Sequence, residues 1–431
     1  MNIAKIQASS LINKQQTFGS DITLDIGGSQ KEGSCKIYYS TSKDNKEVHT
    51  ASGLVNDIGK TKFESADEFK NRIVQKITAV QNASREKIKK MGYPEEENTI
   101  RSLTIFIPSH TSKALAYYLP NYKNKDNKPL NRLDFTDIHG RLLANGVEIS
   151  PDMKFMLLQD CMGAGLTVAK TLYNNDLLEK GKYYTVGITG GGCGIANIEM
   201  LDDNTVTIKS SGSGCLAEGG RLEKVSKVGA SAPAVIKNFC RTFGVGEELL
   251  EDIVSCRKAE FVLNDPVTHK KDEKTEKLKK LLLKTGKYDL VKEDEKEFTL
   301  ALKKEFQELY DLSQKNAIDK YCLAFARLAI IKKNEASNGL VITGPLSRAI
   351  NKIAKEKFGM GVNDWVKYHL RTSFDSFELD IMQDNYNFQI YCDDRFFLDN
   401  NTACKELSHK AKFVEPTRGN WIQIDVKHFK Q

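Results

Sequence analysis

A chain of 431 residues with 40% apolar and 28% charged residues is long enough for two or more domains with proper cores, and this composition argues against disorder. Its 64 basic and 57 acidic residues leave a net charge of +7, most of it balanced rather than pooled, so nucleic acid is not an expected partner. The nine cysteines are scattered without a Cys-x-x-Cys pair, no apolar run is long enough to cross a bilayer, and Met1 to Ser20 lacks the apolar core of a signal peptide; reduced thiols in a cytoplasmic protein, with no membrane partner, are the expectation.

In chain order, residues 1–20 read as a polar lead-in. Asp21 to Ile26, Ser34 to Ser40 and Lys46 to Thr50 read as strands of an antiparallel meander, with a glycine turn at Gly27 and Gly28. Ser65 to Lys89 carries Phe69, Ile73, Ile77 and Val80 at helical spacing, with Ser65 as N-cap. Ser102 to Pro108 is a short apolar run rich in β-formers and reads as a buried strand. A long polar loop is then expected from Ser109 to about Ile149.

Lys154 to Gln159 is a second buried strand, with Asp160 at its end and a small-residue helix from Cys161 to Tyr173 behind it. Tyr183 to Ile188 runs into Thr189-Gly190-Gly191-Gly192-Cys193-Gly194, and Ile195 to Met200 and Thr205 to Lys209 flank a hairpin turn at Asp202-Asp203-Asn204. A second glycine and serine loop covers Ser210 to Gly220, and helices dominate from Pro233 to Lys333. Thr268 to Lys304 is rich in lysine and glutamate, which suits solvated helical faces or an insertion. Gly339 to Thr343 is a third strand, leading to Gly344 and a helix from Arg348 to Phe358. After Phe377 only the strand-like runs Phe388 to Cys392 and Trp421 to Val426 stand out.

Familiar phosphate motifs are excluded by spacing. Gly53 to Thr61 imitates a P-loop, but five residues separate its glycines where four are required. No G-x-G-x-x-G opens a helix after a strand. What remains is three strand-to-glycine turns, at Gly27 and Gly28, at Gly190 to Gly194 and at Gly344. The first two return as hairpins and the third continues into a helix.

With that order of turns the chain resembles the sugar kinase, actin and heat-shock-70 superfamily of two-lobed ATP-binding proteins, and within it the ROK (repressor, open reading frame, kinase) sugar kinases. Asp25-Ile26-Gly27-Gly28-Ser29 stands where that family has D-x-G-G-T, Gly187 to Gly194 where it has a G-T-G-x-G-like turn, and Gly344 where its adenosine loop follows a strand. Gln159-Asp160 stands where the family has Asn-Asp. The chain departs from the family at its zinc motif. Only Ser213 to Glu218 is similar to the end of that motif, no histidine stands near it, and zinc is not expected. There is no room before Asp25 for the DNA-binding helices of the repressor branch.

The resemblance implies an α/β, two-lobed, actin-like ATPase (ribonuclease H-like) fold. Residues 21–159 would form the N-terminal lobe, 160–358 the C-terminal lobe with a charged helical insertion near 268–304, and 359–431 an extension without an assigned role. It also implies ATP-dependent phosphorylation of a hydroxyl on a sugar or sugar derivative. Asp160 would be the general base. Asp25 would hold Mg²⁺ through water. Gly27, Gly28, Ser29, Thr189, Gly190, Gly191, Gly192 and Gly344 would meet the nucleotide, and Asn121, Gln159 and Glu218 the sugar. The alternative is a catalytically inactive ATP- or sugar-binding sensor of the same fold. The oligomeric state, including a homo-oligomer, stays open.

Overall fold

A computed structural model of the chain describes residues 19–27, 35–43, 46–60, 62–93, 98–189, 193–210, 337–372, 388–397, 407–414 and 421–430, together with 315, 318, 319, 321–326, 328–330 and 332. The first sheet is built from β1 (Gly19–Ile26), β2 (Cys35–Lys43), β3 (Lys46–Leu54), β4 (Ile100–Ile107) and β8 (Ile149–Gln159), in the order β3-β2-β1-β4-β8. β1 pairs antiparallel with β2 and β2 with β3, whereas β1, β4 and β8 run parallel.

The second sheet repeats this plan. β9 (Tyr183–Thr189), β10 (Cys193–Met200) and β11 (Thr205–Ser210) form an antiparallel meander, and β12 (Gly339–Thr343) and β13 (Gln389–Tyr391) continue parallel from β9. In strand numbers both units read 3-2-1-4-5, the ribonuclease H-like order, and the chain has the expected two-lobed α/β fold. β14 (Lys412–Val414) and β15 (Trp421–Asp425) extend the second sheet beyond β11. Residues after 358, which the sequence leaves without a role, thus contribute three strands to this sheet.

Alternation along the strands explains why the first sheet is buried on two sides. Ile22, Leu24, Ile26, Leu103, Ile105, Ile107 and Leu157 share a core with Phe69, Ile73 and Ile77 of α2 (Ala66–Lys90). Ser65 caps α2 as expected, its hydroxyl accepting from the Glu68 amide at 3.2 Å. On the opposite face Phe106, Met156 and Leu158 join a core with Met162, Leu166 and Ala169 of α4 (Asp160–Asn174), which also packs on Ile198 and Ile208 of the second sheet. α4 therefore belongs to both sheets. A 3-10 turn at Ser408–Lys410 does likewise. Ser408 bonds Thr23 of β1 at 2.7 Å, Lys154 of β8 donates to the Ala411 carbonyl, and the chain then enters the second sheet as β14.

The polar loop expected over residues 109–149 is a correction. That stretch folds as a three-stranded sheet, β5 (Thr111–Ser112), β6 (Leu115–Lys123) and β7 (Pro129–Asp134), followed by α3 (Ile138–Ala144). Ala116, Leu119, Tyr122, Leu130 and Leu133 are buried from it, while its many polar residues gather in the turn between β6 and β7 and on the outer face. The false P-loop is the end of β3 running into α1 (Asn56–Lys60). Among the described residues no helix is long and apolar enough to cross a membrane.

Candidate functional site

The two equivalent hairpins define the site, because each glycine turn falls between the first and second strands of its sheet. β1 pairs with β2 up to Ile26 opposite Cys35, and β9 pairs with β10 up to Thr189 opposite Cys193. Ligands of open α/β sheets gather at the carboxyl ends of parallel strands. Asp25, Gly27, Gln159, Asp160, Thr189 and Gly344 all stand at such ends.

Asp25 is half-buried and pairs with Phe106 of β4, which pairs with Leu158 of β8. Two strand spacings separate Asp25 from Leu158, about 10 Å. Asp25 thus lies on the sheet face that α4 covers, with Asp160 opening α4 two residues beyond Leu158. Asp160 is half-buried in the first helical turn, where the helix dipole favours a carboxylate. Gln159 precedes it as the helix N-cap. Its side chain is 2% exposed, and its Oε1 has no hydrogen-bond partner among the described residues.

The start of α4 is also tight against the second glycine turn. A Cβ at Gly194 would stand 2.9 Å from the Cys161 Cβ, and the Cys161 thiol donates to the Ile195 carbonyl at 3.4 Å. Glycine at this position lets the helix head approach the hairpin, and it brings Asp160 beside the arm that returns from the turn. Cys161 is buried and in no disulfide, a small packing residue.

Gly344 is the third turn. It adopts φ +106°, and a Cβ there would lie 2.3 Å from the Thr189 carbonyl oxygen. It therefore crosses directly over the backbone end of β9, and α5 (Pro345–Phe358) begins at once with proline in its first turn. Behind this crossing lies a buried hydroxyl cluster. Thr189 Oγ1 lies 2.9 Å from the Tyr321 hydroxyl and 2.7 Å from Ser347 Oγ, which lies 2.8 Å from Tyr321 and donates to the Thr343 carbonyl at 2.7 Å. Burial pushes the Tyr321 hydroxyl well above its ordinary pKa, so it keeps its proton. The Thr189 side chain, a candidate phosphate donor by sequence, is fully buried and engaged here.

No family model and no curated protein matches the sequence. Among solved structures, the glucokinase of Balamuthia mandrillaris with glucose is similar over 90% of this chain and 93% of its own, at 13% identity and a TM-score of 0.47. A glucokinase from an Antarctic psychrotroph is similar over 89% and 98%, at 14% identity and 0.44. A ROK family glucokinase from Streptomyces griseus with glucose and AMPPNP is similar over 81% and 90%, at 13% identity and 0.37. These overlaps are loose, and the ligands named are those proteins' own.

Of the residues singled out by sequence, Asp25, Gly27, Gln159, Asp160, Thr189 and Gly344 gather at the strand ends, and Asn121 lies in β6. Gly28, Ser29, Gly190, Gly191, Gly192 and Glu218 lie outside the described residues, as does the charged stretch 268–304. Tyr122, Tyr321 and Ser347 were missed. Only Ser347 had a readable signal, a hydroxyl three residues after Gly344 at the start of a helix.

Among the described residues no three metal-ligating side chains stand together. A Mg²⁺ ion that arrives on nucleotide phosphates needs only one or two protein carboxylates, and Asp25 at the end of β1 fits that requirement.

Proposed function

We propose that the protein is an ATP- and Mg²⁺-dependent kinase that phosphorylates a hydroxyl group of a sugar or sugar derivative. The observation that carries this reading is the packing of Cys161 on Gly194, which holds the head of α4, where Asp160 stands, against the first residues of β10. A base next to a turn able to offer backbone N–H groups is the arrangement phosphoryl transfer needs, since that reaction asks for positioning and charge stabilisation more than for covalent chemistry. The equivalent turn after Asp25 supports the same reading.

In this mechanism the Gln159 amide oxygen, buried without a partner among the described residues, accepts a hydrogen bond from a hydroxyl of the sugar. Asp160 accepts the proton of the attacking hydroxyl as the hydroxyl oxygen bonds to the γ-phosphorus and the bond from that phosphorus to the β,γ-bridging oxygen breaks, with ADP leaving. Asp25 orients the magnesium-bearing phosphates through water. The magnesium ion, when bound, neutralises charge on the β- and γ-phosphates. Gly344 lets the chain pass close to the nucleotide end of β9.

The test is ATP turnover over a panel of monosaccharides and amino sugars with Asp160→Asn as control. Turnover that depends on one sugar and falls about 10²–10⁴-fold in the variant supports the kinase. Nucleotide binding without turnover on any acceptor overturns it and marks a sensor of the same fold, an outcome consistent with the broken pattern around Cys215.

A further inference from the structure

Tyr122 is 0% exposed in β6, outside both repeated sheets, yet its hydroxyl stands at the mouth of the first hairpin. It donates to the Gly27 carbonyl at 3.0 Å and lies 3.0 Å from the Cys35 sulfur. A phenol has one proton to give. With that proton on Gly27, the Cys35 thiol is the donor to the phenol oxygen, so a single hydroxyl ties the last described residue of one arm to the first of the other.

The ring itself is not free to follow the hairpin. It meets Phe69 of α2 edge-on at 5.7 Å, and Phe69 meets Phe63 edge-on at 5.1 Å. The Phe63 carbonyl accepts from the Lys125 amide at 3.1 Å, which closes the frame back onto the chain just after β6. The hydroxyl is thus fixed by a helix and a separate sheet. Pinning the Gly27 carbonyl fixes the plane of that peptide unit, and a turn that presents N–H groups to phosphate depends on such planes being held.

We infer that Tyr122 is a positioning residue for the nucleotide-phosphate end of the site, holding the arms of the first glycine hairpin at Gly27 and Cys35. The inference rests on the kinase reading for its ligand, but the tether itself can be tested without one. Tyr122→Phe keeps the aromatic packing and removes the hydroxyl. Cys35→Ala removes the thiol and leaves the bond to Gly27.

Two measurements on the full chain decide the matter: amide hydrogen exchange of Asp25–Gly27 and Cys35–Ile37 without ligand, and steady-state constants for ATP. In Tyr122→Phe, exchange at those amides should quicken about tenfold while α2 and β4 stay unchanged, the effect of one lost hydrogen bond of ordinary strength. The KM for ATP should rise about five- to tenfold with the acceptor KM unchanged, and Cys35→Ala should show a smaller change of the same kind. Unchanged exchange, or a rise spread equally through α2, overturns the tether and leaves Tyr122 as ordinary core. Quickened exchange with an unchanged KM for ATP overturns the positioning role. A wild-type protein that binds no nucleotide removes the kinase reading, while the exchange result still decides the tether.

Discussion

The two halves of the molecule share a strand order but hold their glycine turns in different ways. In the second half Thr189, Tyr321 and Ser347 form a cluster in which every pair of hydroxyls lies within hydrogen-bond distance. In the first half one phenol, Tyr122, serves both arms of the hairpin. A cluster of three hydroxyls keeps a mutual contact when one member is lost, whereas loss of the Tyr122 hydroxyl removes the contacts to Gly27 and Cys35 together. The second turn is also crowded by Gly344 and pressed by Cys161, while the first has a half-buried carboxylate, Asp25, just before it. The ends of one hairpin are braced by close packing, and the other carries a carboxylate at the end of its first strand.

The strongest way to break the second half is Gly344→Ala. Its positive φ and the 2.3 Å approach to the Thr189 carbonyl leave no room for a methyl group. A loss of roughly 2–4 kcal/mol is expected, read from the urea midpoint at constant m-value. Tyr321→Phe should cost only about 1 kcal/mol, because Thr189 and Ser347 still bond each other at 2.7 Å. A Tyr321→Phe loss well beyond that would contradict the retained contact and erase the contrast with Tyr122.

The smallest expected effect concerns the turn that joins the halves. Burial holds His409 below its ordinary 6.5; Asp21 pulls the other way, and Lys410, Arg101 and Lys154 reinforce the burial. A histidine kept neutral in the folded state gives its full stability above pH 6.5 and loses it as pH falls through the depressed folded value, since the unfolded chain binds the extra proton there. Thermal midpoints at pH 7.5 and 5.5 should therefore diverge less in His409→Gln than in the wild type. An equal or larger drop in the variant would show that His409 does not carry this part of the acid response.

Both glycine hairpins were legible from sequence because an apolar strand, a glycine pair or triplet, and a returning strand leave little choice. The strand at Gly339–Thr343 and the cap at Ser65 were legible for similarly local reasons. Residues 115–134 were not. Their polar side chains belong to an exposed face and a tight turn, which blurs the alternation that buries Leu119, Tyr122, Leu130 and Leu133. That error also concealed Tyr122, whose role depends on contacts with Gly27 and Cys35 far along the chain. β14 has three residues, too few to show a period, whereas β13 and β15 fall within the strand-like runs Phe388 to Cys392 and Trp421 to Val426. Asp160 and Gly344 were recognisable as strand-end residues, but the pressing of Cys161 on Gly194 is a matter of tertiary packing.

The pairing of β11 with β15 matters for how the chain is made. β11 ends at Ser210 and takes its outer neighbour from Trp421–Asp425, so its free edge must wait until that distant segment has left the ribosome. Closing so long a loop is slow, and an unpaired strand edge is sticky in the meantime. The second half of the molecule thus cannot be finished in the order in which it is synthesised, and a chain cut short after α5 would expose that edge to its neighbours.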